Sequence, residues 1–242
     1  FRQPRAQMNI LILLPILMSP LAINSNCDDL ISEAKAYAAQ EGLTEPSEIS
    51  LELKQHWLAE TQPEYLPGVA LLYPSSDGLY IAATFADKSI YSDATGFNQK
   101  TWELGDVLEV FVSTPDSPTY WEIHVTPNNH RLQLGWTEEG FNAVGAGDRE
   151  LDEFLISDPD FVRSSVSVDD EKDQWSTLVF IPWESIGLTP GPEEKTVEIA
   201  ICRYDAAPDR TGAILSSTAD LTVASYHRRA EWATIALTIP GK

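Results

Sequence analysis

From about Ser50 onward, apolar residues recur every second position in short segments, and no helix can keep a period of two on one buried face. After the turn Ser75-Ser76-Asp77-Gly78, the residues Leu79, Ile81, Ala83 and Phe85 mark a half-buried strand. Leu51 and Leu53 begin the pattern weakly. Further strand-like runs are Val107–Val112, Tyr120–Thr126, Arg131–Trp136, Val162–Val168, Trp175–Ile181, Thr196–Tyr204 and Trp232–Ile239. Clusters of Pro, Gly, Asn and Asp separate almost all of them. Such a series predicts an all-β fold, an antiparallel two-sheet β-sandwich of jelly-roll-like kind, rather than a βαβ sheet.

One segment departs from that period. In Asp28 to Glu41, Leu30, Ala34, Tyr37 and Ala38 share one helical face, with acids early and Gly42 just after, so a short N-terminal helix is expected. Upstream, Ile10 to Ile23 is apolar except for Ser19 and is broken by Pro15 and Pro20. That run is shorter than the roughly 20 residues of a spanning helix, and it reads as a secretory signal core. The expected organisation is therefore a signal peptide over 1–25, with Met8 as a candidate start, a helical lead-in over 26–48 and one sandwich over 49–242. Export is the expectation, extracellular or periplasmic, with no membrane span. Lipid anchoring at Cys27 is disfavoured by Asn26, which stands where a small residue is usual.

Cys27 and Cys202 allow at most one disulfide, so the fold must stand on its core. A formal charge of −21 repels phosphate backbones and anionic membranes, which argues against a nucleic-acid partner. The acid excess is compatible with structural calcium, although no contiguous D-x-[DN]-x-[DN]-G loop occurs. No cofactor is indicated with certainty and no metal ligands are assigned. His124 and His130 could meet across a hairpin, but the spacing offers no third ligand.

Catalytic constellations are scarce. There is no G-x-S-x-G elbow, H-E-x-x-H helix or Gly-rich phosphate loop. Glu109 and Glu122 lie within apolar strands and are the carboxylates that a glycosidase reading would pair. The seven tryptophans say more: Trp57, Trp102, Trp121, Trp136, Trp175, Trp183 and Trp232. A sugar ring offers a C–H face that stacks on indole and hydroxyls that bond carboxylate, amide, Arg or His. Trp121, Trp175 and Trp183 sit among aliphatic strand residues and read as core. Trp102 ends a polar loop, Asp87 to Trp102, where an indole has less reason to be inside. That loop and the stretch Thr137 to Pro159 are long for hairpin connections, and the site is expected to involve them.

The segment Trp102-Glu103-Leu104-Gly105-Asp106-Val107-Leu108-Glu109-Val110-Phe111 resembles the W-x-x-D-x-x-E-x-F strand of carbohydrate-binding module family 9 and its DOMON-like relatives. Three other blocks follow the family's order. Leu79-Tyr80 to Asp87 is similar to its preceding strand, Tyr120 to Pro127 to its following strand, and Trp175-Ser176-Thr177-Leu178-Val179-Phe180-Ile181-Pro182-Trp183 to its W…IPW block. Arg203-Tyr204-Asp205, Ser216-Ser217, Tyr226-His227 and Trp232 resemble its closing segment, so the resemblance covers roughly residues 50 to 240.

The resemblance implies a sandwich that binds polysaccharide or oligosaccharide, often beside co-secreted glycan-degrading enzymes, with structural calcium in some members. In its best-understood branch two tryptophans sandwich a terminal sugar. Trp102 and Glu109 match the first tryptophan and the carboxylate, with Gly105 lengthening the interval by one residue. The second platform has no secure counterpart, and Trp136 is the substitute. Glu109, His124, Asn128 and Arg203 complete the expected polar set; no catalytic residue is assigned. The expected function is a secreted, non-enzymatic carbohydrate-binding protein supporting glycan degradation or uptake. The alternatives are a structural or protein-interaction sandwich with a decayed sugar site, and, less favoured, a glycoside hydrolase using paired carboxylates. A haem reading is disfavoured and would need a bis-histidine site, because Met8 and Met18 both lie in the signal segment and cannot supply the usual methionine ligand.

Overall fold

The computed structural model describes residues 27–43, 49–209 and 211–239. The expected signal segment 1–25, with Met8 and Met18, lies outside the described residues, as do parts of the lead-in, 26 and 44–48. Helix α1 spans Cys27–Gln40 and buries Leu30, Ala34, Tyr37 and Ala38, the face expected from their spacing. Eleven strands follow among the described residues: β1 Ser50–Glu52, β2 Gly68–Pro74, β3 Gly78–Ala86, β4 Val107–Ser113, β5 Thr119–Val125, β6 Arg131–Thr137, β7 Arg163–Asp169, β8 Gln174–Pro182, β9 Lys195–Ala206, β10 Ala213–Ser217 and β11 Ala233–Leu237. A second helix, α2, occupies Glu138–Ala146 between β6 and β7.

The strands form two antiparallel sheets, a β-sandwich. One runs β1-β2-β3-β8-β7; the other runs β10-β9-β4-β5-β6, with β11 also pairing β9. The twelve-residue β9 has room for both β11, paired with Lys195 to Ile199, and β10, paired with Cys202 to Ala206. Alternate residues of both sheets meet between them: Leu79, Ile81, Phe85, Trp175 and Ile181 from one, Leu108, Val110, Ile123, Val125 and Ile201 from the other. Trp175 and Trp183 are fully buried there, and Trp121 packs against the same core, as expected.

β2 escaped the sequence reading because Gly-Val-Ala-Leu-Leu-Tyr-Pro has no alternation. It is buried on both faces, the core on one side and α1 on the other. α2 was also unexpected, and the stretch from Thr137 is not simply a loop. Thr137 caps the helix by accepting from Gly140 N at 3.0 Å, Glu138 and Glu139 fill the first turn, and Gly147 closes it at φ 78°. Cys27 and Cys202 are both free thiols, the latter buried.

Candidate functional site

The alternation that sends Leu108, Val110, Ile123 and Val125 inward sends Glu109, Phe111, Tyr120, Glu122 and His124 to the outer face of the second sheet. This face is not bare. The loop ending in Trp102, helix α2, the turn at Leu151–Phe154 and the segment around Tyr226 and His227 rise around it, leaving a cavity of about 320 Å³. Trp102, Trp136, Phe141, Val144, Tyr204 and Tyr226 give the cavity apolar walls; Glu109, Glu122 and His124 give it a polar floor. Its size falls within the roughly 300–1,000 Å³ typical of small-molecule sites. A second cavity of about 640 Å³ adjoins it, and the two share Phe141 and His227, whose rings stack at 3.9 Å.

Strand register assembles the floor. Glu109 on β4 stands opposite His124 on β5, and Glu122 lies two residues before His124 on the same face. His124 Nε2 is 2.7 Å from Glu122 Oε1 and 3.6 Å from Glu109 Oε2, while His124 Nδ1 shares a 2.7 Å hydrogen bond with the buried Thr101 hydroxyl. Trp136 donates its indole N–H to Glu122 Oε2 at 2.6 Å. Trp102, half-buried, turns its ring edgewise to the His124 imidazole at 5.6 Å. His227 lies 3.7 Å from Glu122 Oε2 and hydrogen-bonds the Tyr120 hydroxyl at 2.9 Å.

Burial dominates the electrostatics of the floor. It pushes Glu109 up to about 7, with the nearby Glu122 charge adding to the rise and His124 opposing it. For Glu122 burial acts in the same sense, but the hydrogen bond and charge of His124, helped by His227 and Trp136, outweigh it and lower the pKa. For His124 burial disfavours the charged ring, yet Glu109 and Glu122 together raise its pKa. His227, also desolvated, is lowered. The result is an imidazole held between two carboxylates, one of them, Glu109, without a hydrogen-bond donor among the described residues.

Of the expected site residues, Trp102, Glu109, His124 and Trp136 come together. The inserted Gly105 does not turn Trp102 away: at φ 143° it tucks against Tyr91 and pairs with Ser92, and the indole still borders the cavity. Arg203 and Asn128 lie elsewhere. Arg203 sits on the inward face of β9, where it pairs with Asp87 at 2.9 Å and Asp205 at 3.2 Å and donates to Ala86 O at 2.7 Å. Asn128, exposed in the turn after β5, pins the Trp102 loop by donating to Ala94 O at 2.7 Å. His130 does not join His124; the carboxylates do. Sequence reasoning missed Glu122 as a binding group, together with Thr101, Phe141 and His227. The His124-Glu122 spacing of two on a strand was the available signal for the first.

A second buried cluster accompanies Arg203. Carboxylate oxygens of Asp87, Asp106 and Asp205 lie within 4.8 Å of one another. Asp106 spends both oxygens on backbone N–H groups, accepting from Tyr91 N at 2.7 Å and Ala206 N at 2.8 Å. Desolvation, then the Asp87 charge, lifts Asp106 to about 7, and desolvation lifts Asp205 to about 6 against the pull of Arg203. Asp87 Oδ2 faces Arg203 but receives no aligned hydrogen bond.

Among known proteins, no family model and no curated sequence matches the chain. Solved structures do. A Bacteroides uniformis protein assigned as carbohydrate-binding superposes with a TM-score of 0.63 at 13% identity, over 85% of this chain and 91% of the other. A family 9 carbohydrate-binding module from Caldicellulosiruptor kristjanssonii, in complex with cellotriose, superposes with a TM-score of 0.53 at 14% identity over 78% and 82%. The glucose complex of such a module from the same organism gives 0.53 at 12% identity over 79% and 86%. At these identities the likeness establishes a shared fold.

Proposed function

We propose that this chain, which has the fold of the family 9 carbohydrate-binding modules, is an exported carbohydrate-binding protein that seats one sugar ring in the cavity beneath Trp102. The observation that carries this reading is the joining, in one pocket, of an indole wall and buried polar groups that sequence had set apart. Trp102 supplies a flat apolar surface and Glu109 an unsatisfied acceptor for a sugar hydroxyl. The adjoining cavity past Phe141 and His227 gives further units of an oligosaccharide or polysaccharide a path outward. Uronic or sulfated sugars are disfavoured by the carboxylates of the floor.

A non-catalytic role is supported by where the acids stand. Glycosidases place two carboxyl groups across the scissile bond, roughly 5–9.5 Å apart. Glu109 and Glu122 instead lie side by side on the floor with His124 between them, their nearest oxygens within 4.8 Å, so both would approach a sugar from the same side. Support for glycan degradation or uptake beside co-secreted enzymes follows from this reading and from the expected signal segment. Among the described residues no helix is long and apolar enough to cross a membrane. Calcium, where bound, would be taken by Asp87, Asp106 and Asp205, whose hard oxygens suit it and whose charge Arg203 offsets only in part.

The test is tryptophan fluorescence titrated with glucose, cello-oligosaccharides and a wider glycan panel, with and without calcium. Trp102→Ala is expected to weaken binding by about tenfold or more, roughly 1.4 kcal/mol, while melting close to the wild-type temperature. A wild-type protein silent to every glycan would favour the interaction-module alternative.

A further inference from the structure

The floor of the cavity has a property that sugar binding does not require. His124 Nε2, a Glu122 oxygen and a Glu109 oxygen lie within 4.8 Å of one another, and all three residues are buried. Two of the three are held from behind. Thr101 fixes the imidazole through Nδ1 at 2.7 Å, and the Trp136 indole N–H holds the far oxygen of Glu122 at 2.6 Å. That is the outer support that metal-ligating histidines and carboxylates ordinarily have.

The third group points to what is missing. The Glu109 side chain is 7% exposed and borders the cavity; its nearest cation is His124 Nε2 at 3.6 Å, beyond hydrogen-bond range. Two buried carboxylates and one imidazole nitrogen converge on one point of the floor, and the Glu109 carboxylate, which borders the cavity, accepts no hydrogen bond from any described residue. One nitrogen and two oxygen donors, with the cavity open on the remaining side, make a three-ligand set with free coordination positions.

We propose that Glu109, Glu122 and His124 form a binding site for one divalent transition-metal ion, zinc being the chemical type, at the floor of the cavity. A bound ion takes the imidazole as a neutral ligand: Nδ1–H donates to the Thr101 hydroxyl, and Nε2 faces the ion in place of Glu122, any proton it carried passing to solvent. Charge then balances, two carboxylates against a dication. The remaining positions of the ion face the space where a sugar ring or water sits. The site stands whether or not a sugar binds.

The test uses the whole chain stripped with chelator and titrated calorimetrically with zinc alone, then with cobalt, whose visible bands report a nitrogen-containing site of low coordination number. One ion per chain is expected, with cobalt bands. Glu109→Gln and His124→Asn should each lose at least about a hundredfold in affinity, and Thr101→Val about tenfold or more, because it touches only the imidazole's outer nitrogen. Asp170→Asn, at an exposed acid in the turn after β7 and outside both acidic clusters, serves as a control and should leave zinc affinity unchanged. Absence of zinc binding by the folded wild type overturns the proposal. So does binding that survives in Glu109→Gln and His124→Asn, which would put the ion elsewhere. Glu109→Gln is nearly isosteric and removes a buried charge, so folding should persist; thermal melting in chelator verifies it. Glycan titration of the zinc-free protein separates this question from the sugar reading.

Discussion

Arg203 shows how much a single side chain's direction matters. It lies within β9, three residues before the strand ends at Ala206, and the pleat sends it between the sheets, against Asp87, Asp205 and the Phe85 ring. Removing it would leave two aspartates buried without their cation. Arg203→Ala is therefore expected to cost about 3–5 kcal/mol in urea unfolding. In whatever fraction remains folded at low temperature, glycan affinity should be unchanged, because the guanidinium does not border the cavity. A folded Arg203→Ala protein with wild-type stability and lost glycan binding would restore the role expected for it from sequence. Asn128 differs in kind: its amide ties the Trp102 loop through Ala94 and so acts on the cavity only through that loop.

At the scale of elements, the Trp102 turn depends on Gly105. Its φ of 143° is open to glycine alone among ordinary residues, and a Cβ there would stand 2.4 Å from Tyr91 O. Gly105→Ala should destabilise by about 2 kcal/mol or more and displace the Thr101–Glu103 turn that carries both Trp102 and the hydroxyl supporting His124. The readout is a lowered urea midpoint together with a changed tryptophan emission; an unaltered emission with normal stability would count against this coupling. α1 is a second such element. Leu30 is buried against the outer face of the first sheet, and Leu30→Ala should cost about 2–4 kcal/mol without touching the cavity on the opposite sheet.

Over the whole molecule, buried carboxylates set the response to pH. Burial raises Asp106 and Glu109 to about 7 and Asp205 to about 6. An acid with a higher pKa folded than unfolded holds more protons in the folded state between the two values, so stability falls as pH rises through that window. His124, raised by its carboxylates, acts in the same direction: its contribution is complete below its unfolded value and fades as pH passes its folded one. Glu122, lowered, acts oppositely and loses its contribution as pH falls below the ordinary glutamate range. In chelator, the melting temperature should therefore climb as pH drops from about 8 to about 5 and decline below about 4. Self-repulsion from a net charge of −21 gives a similar trend, so the scan is made at high salt, where exposed charges are screened. A melting temperature that falls steadily from pH 8 to 5 would refute the account.

Period and turn chemistry were enough, without coordinates, to specify what is local. The alternation in Leu79 to Phe85, the helical spacing of Leu30, Ala34, Tyr37 and Ala38, and the Trp102 to Phe111 segment announced strands, helix and family-like fold, because each signal is written within a dozen residues. The same alternation placed Glu109 and His124 on one face. It could not say which partner His124 would find, since that depends on register: β5 against β4 brings Glu109 opposite, and β5 itself brings Glu122, whereas His130 lies past the turn. Nor could it reveal β2, whose alternation vanished once α1 covered its second face. Whether Arg203 served the site or the core was a question of which side of a pleat it took, fixed by a buried pair with Asp87, 116 positions away. Only tertiary structure decides such matters, because a cavity is made where segments remote in sequence close over one another and exclude water.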